Sequence, residues 1–193
     1  RRLDHMQQHT GEHIVSGIVH AQFGYDNVGF HIGAQDVTVD FSGPLTDAEL
    51  ADVERAANWV IWQNAPVTIA WPAPSELAQL NYRSKKELDG PVRLVEAGGD
   101  CCACCGTHLA RTGEVGLIKI ISAQHYKTGM RLAVACGQRA YDAVAAICAD
   151  AEAAGRVLSA PAGSLTPSVE NRQNGEAVLK QRIAALQNAL ADA

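Results

Sequence analysis

The sequence predicts an α+β fold, with a largely antiparallel sheet packed against helices. Segments with helical and strand periodicity are mixed along the chain without the regular βαβ alternation of a parallel sheet. Residues 28–41 have the pattern of two strands joined by a turn. The chain of 193 residues is 47% hydrophobic and 19% charged, which is typical of a globular protein with a buried core.

The first element is a predicted helix over residues 4–23, with Asp4 capping its start and Gly24 ending it. Its apolar stripe, which has helical spacing, consists of Ile14, Val15, Ile18 and Val19. After the two strands within 28–41, whose turn is expected near residues 33–35, a second helix is predicted over residues 46–63. Thr46 and Glu49 have the spacing of a capping box at its start.

The middle of the chain alternates between strands, a short helix and a cysteine-rich loop. The predicted elements are a strand at 67–71, a short helix at 74–82, a strand at 92–97, a loop at 98–108, strands at 116–122 and 131–136, and a helix at 137–155. Residues 159–167 have the composition of a linker, so we expect one folded domain over 1–156 and a linker with a C-terminal helix over 157–193. Leu179, Ile183, Leu186 and Leu190 form an apolar seam on that helix.

Charge and hydropathy narrow the class of protein. No apolar run reaches the roughly 18 residues of a membrane span, and no signal peptide is evident, so we expect a cytoplasmic protein without membrane partners. The net charge of −5 disfavours a broad nucleic-acid surface, although Arg83, Lys85 and Lys86 are candidates for a small basic patch or a solvated turn. The chain begins at Arg1, so we expect it to be part of a longer protein.

The six cysteines indicate metal binding or thiol chemistry. Four of them, Cys101, Cys102, Cys104 and Cys105, fall within five residues. Neighbouring cysteines pair poorly with each other, which argues against a secreted disulfide framework.

Two pairs of metal-ligating residues lie far apart in the sequence. On a helix, His9 and His13 of HTGEH lie one above the other and can present two imidazoles to one ion. Cys104 and His108 of CCGTH add a thiolate and a third imidazole. Together they make the four-ligand nitrogen and sulfur set that zinc commonly takes.

Other chemistries remain open from the residues alone. The C-x-x-C pairs, Cys101 with Cys104 and Cys102 with Cys105, could chelate zinc or act as a redox dithiol. HTGEH also has the H-x-x-E-H order of one class of zinc peptidases, in which Glu12 would be the general base. Alternatively, Glu12 points to solvent.

HTGEH, followed far downstream by CCGTH and RTGEVGLIKI, resembles the editing domain of alanyl-tRNA synthetase and its freestanding relatives, the alanyl-tRNA editing proteins. The resemblance covers roughly residues 1–150, and the FHIG and YRSKKELDG stretches are more similar to the freestanding proteins. It implies a Zn2+ site formed by His9, His13, Cys104 and His108. It also implies hydrolysis of the ester that joins serine or glycine to alanine tRNA, an ester-bond hydrolase activity that protects translation fidelity.

Three further residues are candidates for the reaction. The Thr10 hydroxyl is expected to bond the serine side chain, and Gly106 and Thr107 to offer backbone N–H groups to the substrate. His5 and His31 are candidates for an outer position and for the pocket wall. The alternative function is a zinc-stabilised RNA-binding or interaction module without catalysis. The oligomeric state is not predicted.

Overall fold

The structure, a computed structural model, describes residues 1–34, 36–84 and 90–192. The chain divides into two compact units, Arg1–Ala143 and Val144–Ala193. The helices are α1 (Arg2–Phe23), α2 (Asp47–Gln63), α3 (Pro74–Leu77), α4 (Gln138–Leu158) and α5 (Leu165–Ala191), with a 3-10 helix at Thr112–Val115. The strands are β1 (Asn27–Ile32), β2 (Val37–Phe41), β3 (Thr68–Ala70), β4 (Leu94–Ala97), β5 (Asp100–Ala103), β6 (Ile118–Tyr126) and β7 (Gly129–Cys136).

The first unit contains two sheets, and both are antiparallel throughout the described residues. One has the strand order β1-β2-β7-β6 and the other β3-β4-β5. Hairpin connections join β1 to β2, β4 to β5 and β6 to β7. The predicted α+β class with a largely antiparallel sheet is therefore confirmed.

Helices α1 and α2 pack together and cover the four-stranded sheet. The buried stripe of α1 and the alternating inward residues of β2 meet in one core, which explains why β2 shows a strict alternation of buried and half-buried positions. Fully buried members of this core include Ile14, Val15, Val39, Val53 and Leu132. The core thus fixes α1, which carries two of the predicted metal ligands, against the sheet.

The predicted cap at the start of α2 is confirmed, and the predicted cap at the start of α1 is wrong. Helix α2 begins with the predicted capping box, in which the Thr46 hydroxyl accepts from the Glu49 N–H and the Glu49 side chain accepts from Thr46. The prediction that Asp4 caps α1 is wrong, because α1 begins at Arg2 and Asp4 lies inside its first turn. There Asp4 accepts two hydrogen bonds from Arg139, at 2.7 and 2.8 Å.

Two other predicted elements are also corrected. The short helix expected over 74–82 ends at Leu77. The cysteine-rich segment expected to be a loop begins as strand β5, which pairs with β4 from Ala97↔Asp100 to Leu94↔Ala103. The turn expected near 33–35 includes Gln35, which lies outside the described residues.

The second unit consists of α4 from Val144 onward, the segment after it and the predicted C-terminal helix, α5. The apolar seam lies on α5 and its four side chains are exposed. Of the helices that the structure describes, none combines the length and the apolar character required to span a bilayer. The predicted domain division at residue 156 stays a prediction.

Candidate metal centre

The four side chains predicted to bind one ion lie together. His9 and His13 project from successive turns of α1, while Cys104 and His108 lie just after β5. One ligand atom from each of the four lies within 4.8 Å of every other. The structure therefore brings together residues almost 100 positions apart as a group that could hold a metal ion, although their role as ligands stays a prediction.

The β4–β5 hairpin places the loop ligands. Gly98 and Gly99 form its two-residue turn with φ of 63° and 91°, a conformation that suits a tight hairpin and favours glycine. After β5, the Arg93 guanidinium donates to the carbonyls of Cys104 at 2.6 Å and Gly106 at 3.0 Å. These two bonds hold the segment that carries the thiol.

The two α1 histidines of the group, His9 and His13, each have a hydrogen bond at Nδ1. Because a backbone carbonyl only accepts, His9 Nδ1 donates to Thr107 O at 3.2 Å. His13 Nδ1 lies 3.1 Å from Asp100 Oδ2, and an ionised carboxylate also only accepts. Nε2 of both rings is therefore the nitrogen that faces the Cys104 sulfur and is placed to bind a metal.

The third histidine, His108, contacts a hydroxyl through Nδ1. His108 Nδ1 lies 3.5 Å from the Thr10 hydroxyl, and that hydroxyl accepts from the Leu109 N–H at 3.1 Å. His108 Nε2 and His9 Nε2 each lie 3.4 Å from Cys104 Sγ. Both Nε2 atoms thus face the same sulfur.

The charge of the thiol is set by these neighbours. Burial raises the pKa of Cys104, but hydrogen bonds from His108, His13 and His9 and from the Gly106 N–H outweigh burial and lower the pKa to about 3. Burial also lowers the pKa of His108. Burial lowers the pKa of His13, but its hydrogen bonds with Asp100 and Cys104 outweigh burial and raise that pKa to about 9. Because a metal binds thiolate and neutral imidazole, an ion bound here would displace the proton that His13 donates to Cys104.

The other cysteines of the cluster differ from Cys104. Burial raises the pKa of Cys102 to about 12 and also raises the pKa of Cys101. Cys105 is exposed and lies outside the four-residue group. Cys102 forms a second possible group with His13 and Asp100 among the described residues.

Sequence reasoning missed one part of the site, a buried carboxylate behind His13. Asp100 accepts from Arg83 through both oxygens, from Nε at 2.6 Å and from Nη2 at 2.8 Å. Burial raises the pKa of Asp100, but the bonds from His13 and Arg83 outweigh burial and hold it below its ordinary value. The Asp100 position next to the cysteine cluster was the one available signal.

Arg83 is not in a solvated turn as the sequence allowed. Its side chain is 11% exposed and is committed to Asp100. Lys85 and Lys86 lie outside the described residues. Arg83 is therefore not available to the candidate basic patch.

Glu12 is also placed differently from both sequence alternatives. It is buried, and its carboxylate accepts from Ser16 at 2.7 Å and from Asn27. Among the described residues, it is not in the group that could hold a metal. This placement gives no support to a peptidase base at Glu12, and it excludes a solvent-facing side chain.

The other residues predicted for the site differ in how closely they contact the four-residue group. Thr10 is fully buried, and its hydroxyl contacts His108 Nδ1 and the Leu109 N–H. Gly106 donates its N–H to Cys104 Sγ at 3.4 Å, and the Thr107 carbonyl holds His9. His5 lies next to Asp4 at 4.0 Å with nearly half of its side chain exposed, and His31 is exposed on β1.

Comparison with known proteins relates the chain to tRNA synthetase domains and to editing proteins. Residues 92–132, which contain Cys104 and His108, match the family described as the threonyl and alanyl tRNA synthetase second additional domain. The chain is 33% identical over 132 residues to alanyl-tRNA editing protein Aarsd1-B from Xenopus laevis, and 31% over 132 residues to its Danio rerio counterpart. It is 34% identical over 154 residues to the alanine–tRNA ligase of Natronomonas pharaonis.

The chain is therefore a relative of proteins that carry this synthetase domain. More narrowly, it is a relative of the alanyl-tRNA editing proteins, and the resemblance predicted from HTGEH and CCGTH is confirmed. The aligned region is 66% of this chain and 32% of the Xenopus and Danio proteins. For the Natronomonas ligase the shares are 74% and 16%. The chain thus spans about a third of the length of the editing proteins it matches.

Proposed function

We propose that the chain is a zinc-dependent aminoacyl-tRNA deacylase that hydrolyses the ester bond of serine or glycine mischarged on alanine tRNA. One observation carries the proposal: His9, His13, Cys104 and His108 each place a ligand atom within 4.8 Å of the others, in a relative of the alanyl-tRNA editing proteins. That relationship supports trans-editing of mischarged tRNA, and we propose the cytoplasm as its location.

The donor set fits zinc. Zinc binds thiolate at about 2.3 Å and imidazole at about 2.0–2.1 Å in a tetrahedron, which separates a sulfur and a nitrogen ligand by about 3.5 Å. The distances from Cys104 Sγ to His9 Nε2 and His108 Nε2 are both 3.4 Å. Cys104 is thus spaced from His9 and His108 as a zinc thiolate is from its imidazole neighbours.

The chain's own groups have separable tasks in this proposal. His9, His13, Cys104 and His108 would hold the ion, which when bound supplies Lewis-acid polarisation or a water of lowered pKa. Gly106 and Thr107 border the ligands and are our candidates for contacting the substrate ester. Thr10 is our candidate for recognising the serine hydroxyl, and its contact with His108 supports a second role in orienting that ring.

The test is deacylation of seryl-, glycyl- and alanyl-tRNA for alanine by the purified chain, with and without a zinc chelator. We expect the two mischarged substrates to be hydrolysed much faster than alanyl-tRNA, and activity to return when zinc is restored. A chain that unfolds on chelation, by circular dichroism, and hydrolyses none of the three substrates would instead be a zinc-stabilised binding module. Cleavage of peptides alone would indicate the peptidase.

A further inference from the structure

A buried ion pair lies directly behind one of the proposed ligands. Asp100 Oδ2 accepts from His13 Nδ1 at 3.1 Å and from Arg83 Nη2 at 2.8 Å, while Oδ1 accepts from Arg83 Nε at 2.6 Å. The side chains of Asp100, His13 and Arg83 are 2%, 3% and 11% exposed. Both oxygens of the carboxylate are therefore fixed in orientation.

The backbone around this carboxylate is also held. Arg83 lies along β5, where its N–H donates to Cys101 O at 2.8 Å and its carbonyl accepts from the Ala103 N–H at 2.9 Å. On the other side, a Cβ at Gly17 would lie 2.5 Å from Asp100 Cβ. Only a glycine at this point of α1 lets the helix approach Asp100 so closely, four residues after His13.

An imidazole can present either nitrogen to a metal, and the hydrogen bond made by the other nitrogen decides which. His9 and His108 have neutral partners, a carbonyl and a hydroxyl. Of the three, His13 is held by a charged partner, and charge-assisted hydrogen bonds are about twice as strong as neutral ones. The ring of His13 is thus the most firmly oriented of the three.

We propose that Asp100 is a positioning residue of the metal centre, which holds His13 Nε2 toward the ion, and that Arg83 holds Asp100 in turn. Asp100 acts through His13 and does not touch the substrate. The inference rests on the proposed function for the identity of the ion. The orientation of His13 by Asp100 and Arg83 is argued from their hydrogen bonds alone.

The first test is zinc affinity, measured by competition with a chromophoric chelator. Asp100→Asn keeps the size of the side chain and removes the charge that holds both partners. We expect a 10- to 100-fold weaker affinity, the usual loss when an outer partner of a metal ligand is changed. Arg83→Lys, which cannot bind both oxygens in a fork, should weaken affinity in the same direction and by less.

Asp40→Asn is the matched control. Asp40 forms the same forked ion pair with Arg131, at 2.6 and 2.7 Å, between β2 and β7. The Asp40→Asn variant should have a lower melting temperature and an unchanged zinc affinity, because Arg131 touches no proposed ligand. Zinc affinity of Asp100→Asn within twofold of the wild-type value, or an equal loss in Asp40→Asn, would refute the positioning role.

The second test needs no variant. In the zinc-loaded wild-type chain, 15N NMR of the imidazole rings should show His13 protonated at Nδ1 and metal-bound at Nε2. Zinc on Nδ1 would overturn the inference. Neither test uses aminoacyl-tRNA, so a failed deacylation assay counts against the proposed function alone, and an unchanged Asp100→Asn affinity counts against the positioning role alone.

Discussion

Gly106→Ala should damage the metal centre without changing any ligand. A Cβ at this position would lie 2.7 Å from His9 Nδ1 and nearer still to Cε1. The His9 ring cannot easily move aside, since it stacks on His108 at 4.2 Å and on Phe30 at 5.6 Å between centroids and donates to Thr107 O. At least one of these contacts of the His9 ring must therefore lengthen or break.

The size of the effect follows from the clearance required. Ordinary van der Waals contact begins at 3.4 Å, so ring and loop must separate by at least about 0.7 Å, the difference between 3.4 and 2.7 Å. Misplacement of about 1 Å can cost a hundredfold in rate. We therefore expect a ten- to a hundredfold loss of deacylation rate, and a zinc affinity lowered by on the order of tenfold.

The assay is seryl-tRNA deacylation under single-turnover conditions beside chelator competition for zinc. Gly106 is not among the described glycines with positive φ, so alanine brings no backbone strain of its own. Gly175→Ala is the control, because a Cβ there meets no atom within 4 Å. Wild-type rate and affinity in Gly106→Ala would show that the loop yields freely, and would refute the close fit between Gly106 and His9.

Three further predictions concern the ligands and the selectivity. His13→Ala should lose most of the zinc that the wild-type chain holds at close to one ion per chain, by metal analysis; full occupancy would remove His13 from the site. Cys104→Ser should weaken zinc binding while Cys102→Ser and Cys105→Ser do not, in the same chelator competition; the reverse pattern would move the sulfur ligand. Thr10→Val should slow seryl-tRNA hydrolysis several-fold to tenfold more than alanyl-tRNA hydrolysis, for loss of one hydrogen bond of about 1 kcal/mol to the serine hydroxyl. Equal losses would assign Thr10 to orienting His108.

Local patterns made much of the fold predictable. The capping box of Thr46 and Glu49 sets the start of α2, and the alternation in β2 reports one buried face. Strand β5 escaped prediction because Asp100–Ala103 has neither β-branched residues nor a clear alternation, and its pairing with β4 makes it a strand. The start of α1 was misplaced because Asp4 bonds to Arg139, more than 130 residues away, instead of capping its own helix.

The candidate metal centre was also predictable only in part. The four predicted ligands are of residue types that bind zinc, with spacings that a helix and a loop make recognisable, and the fold brings them together. The buried pair of Asp100 and Arg83 has no such spacing. Arg83 reaches the site because its backbone lies along β5, a tertiary contact that no local pattern indicates.

The most direct measurement of the metal centre is zinc X-ray absorption on the purified chain. One sulfur at about 2.3 Å and three nitrogens at about 2.0–2.1 Å are expected for His9, His13, Cys104 and His108. Cys104→Ser should remove the sulfur shell. Two or more sulfurs per zinc would contradict this ligand set and would place the ion among the neighbouring cysteines.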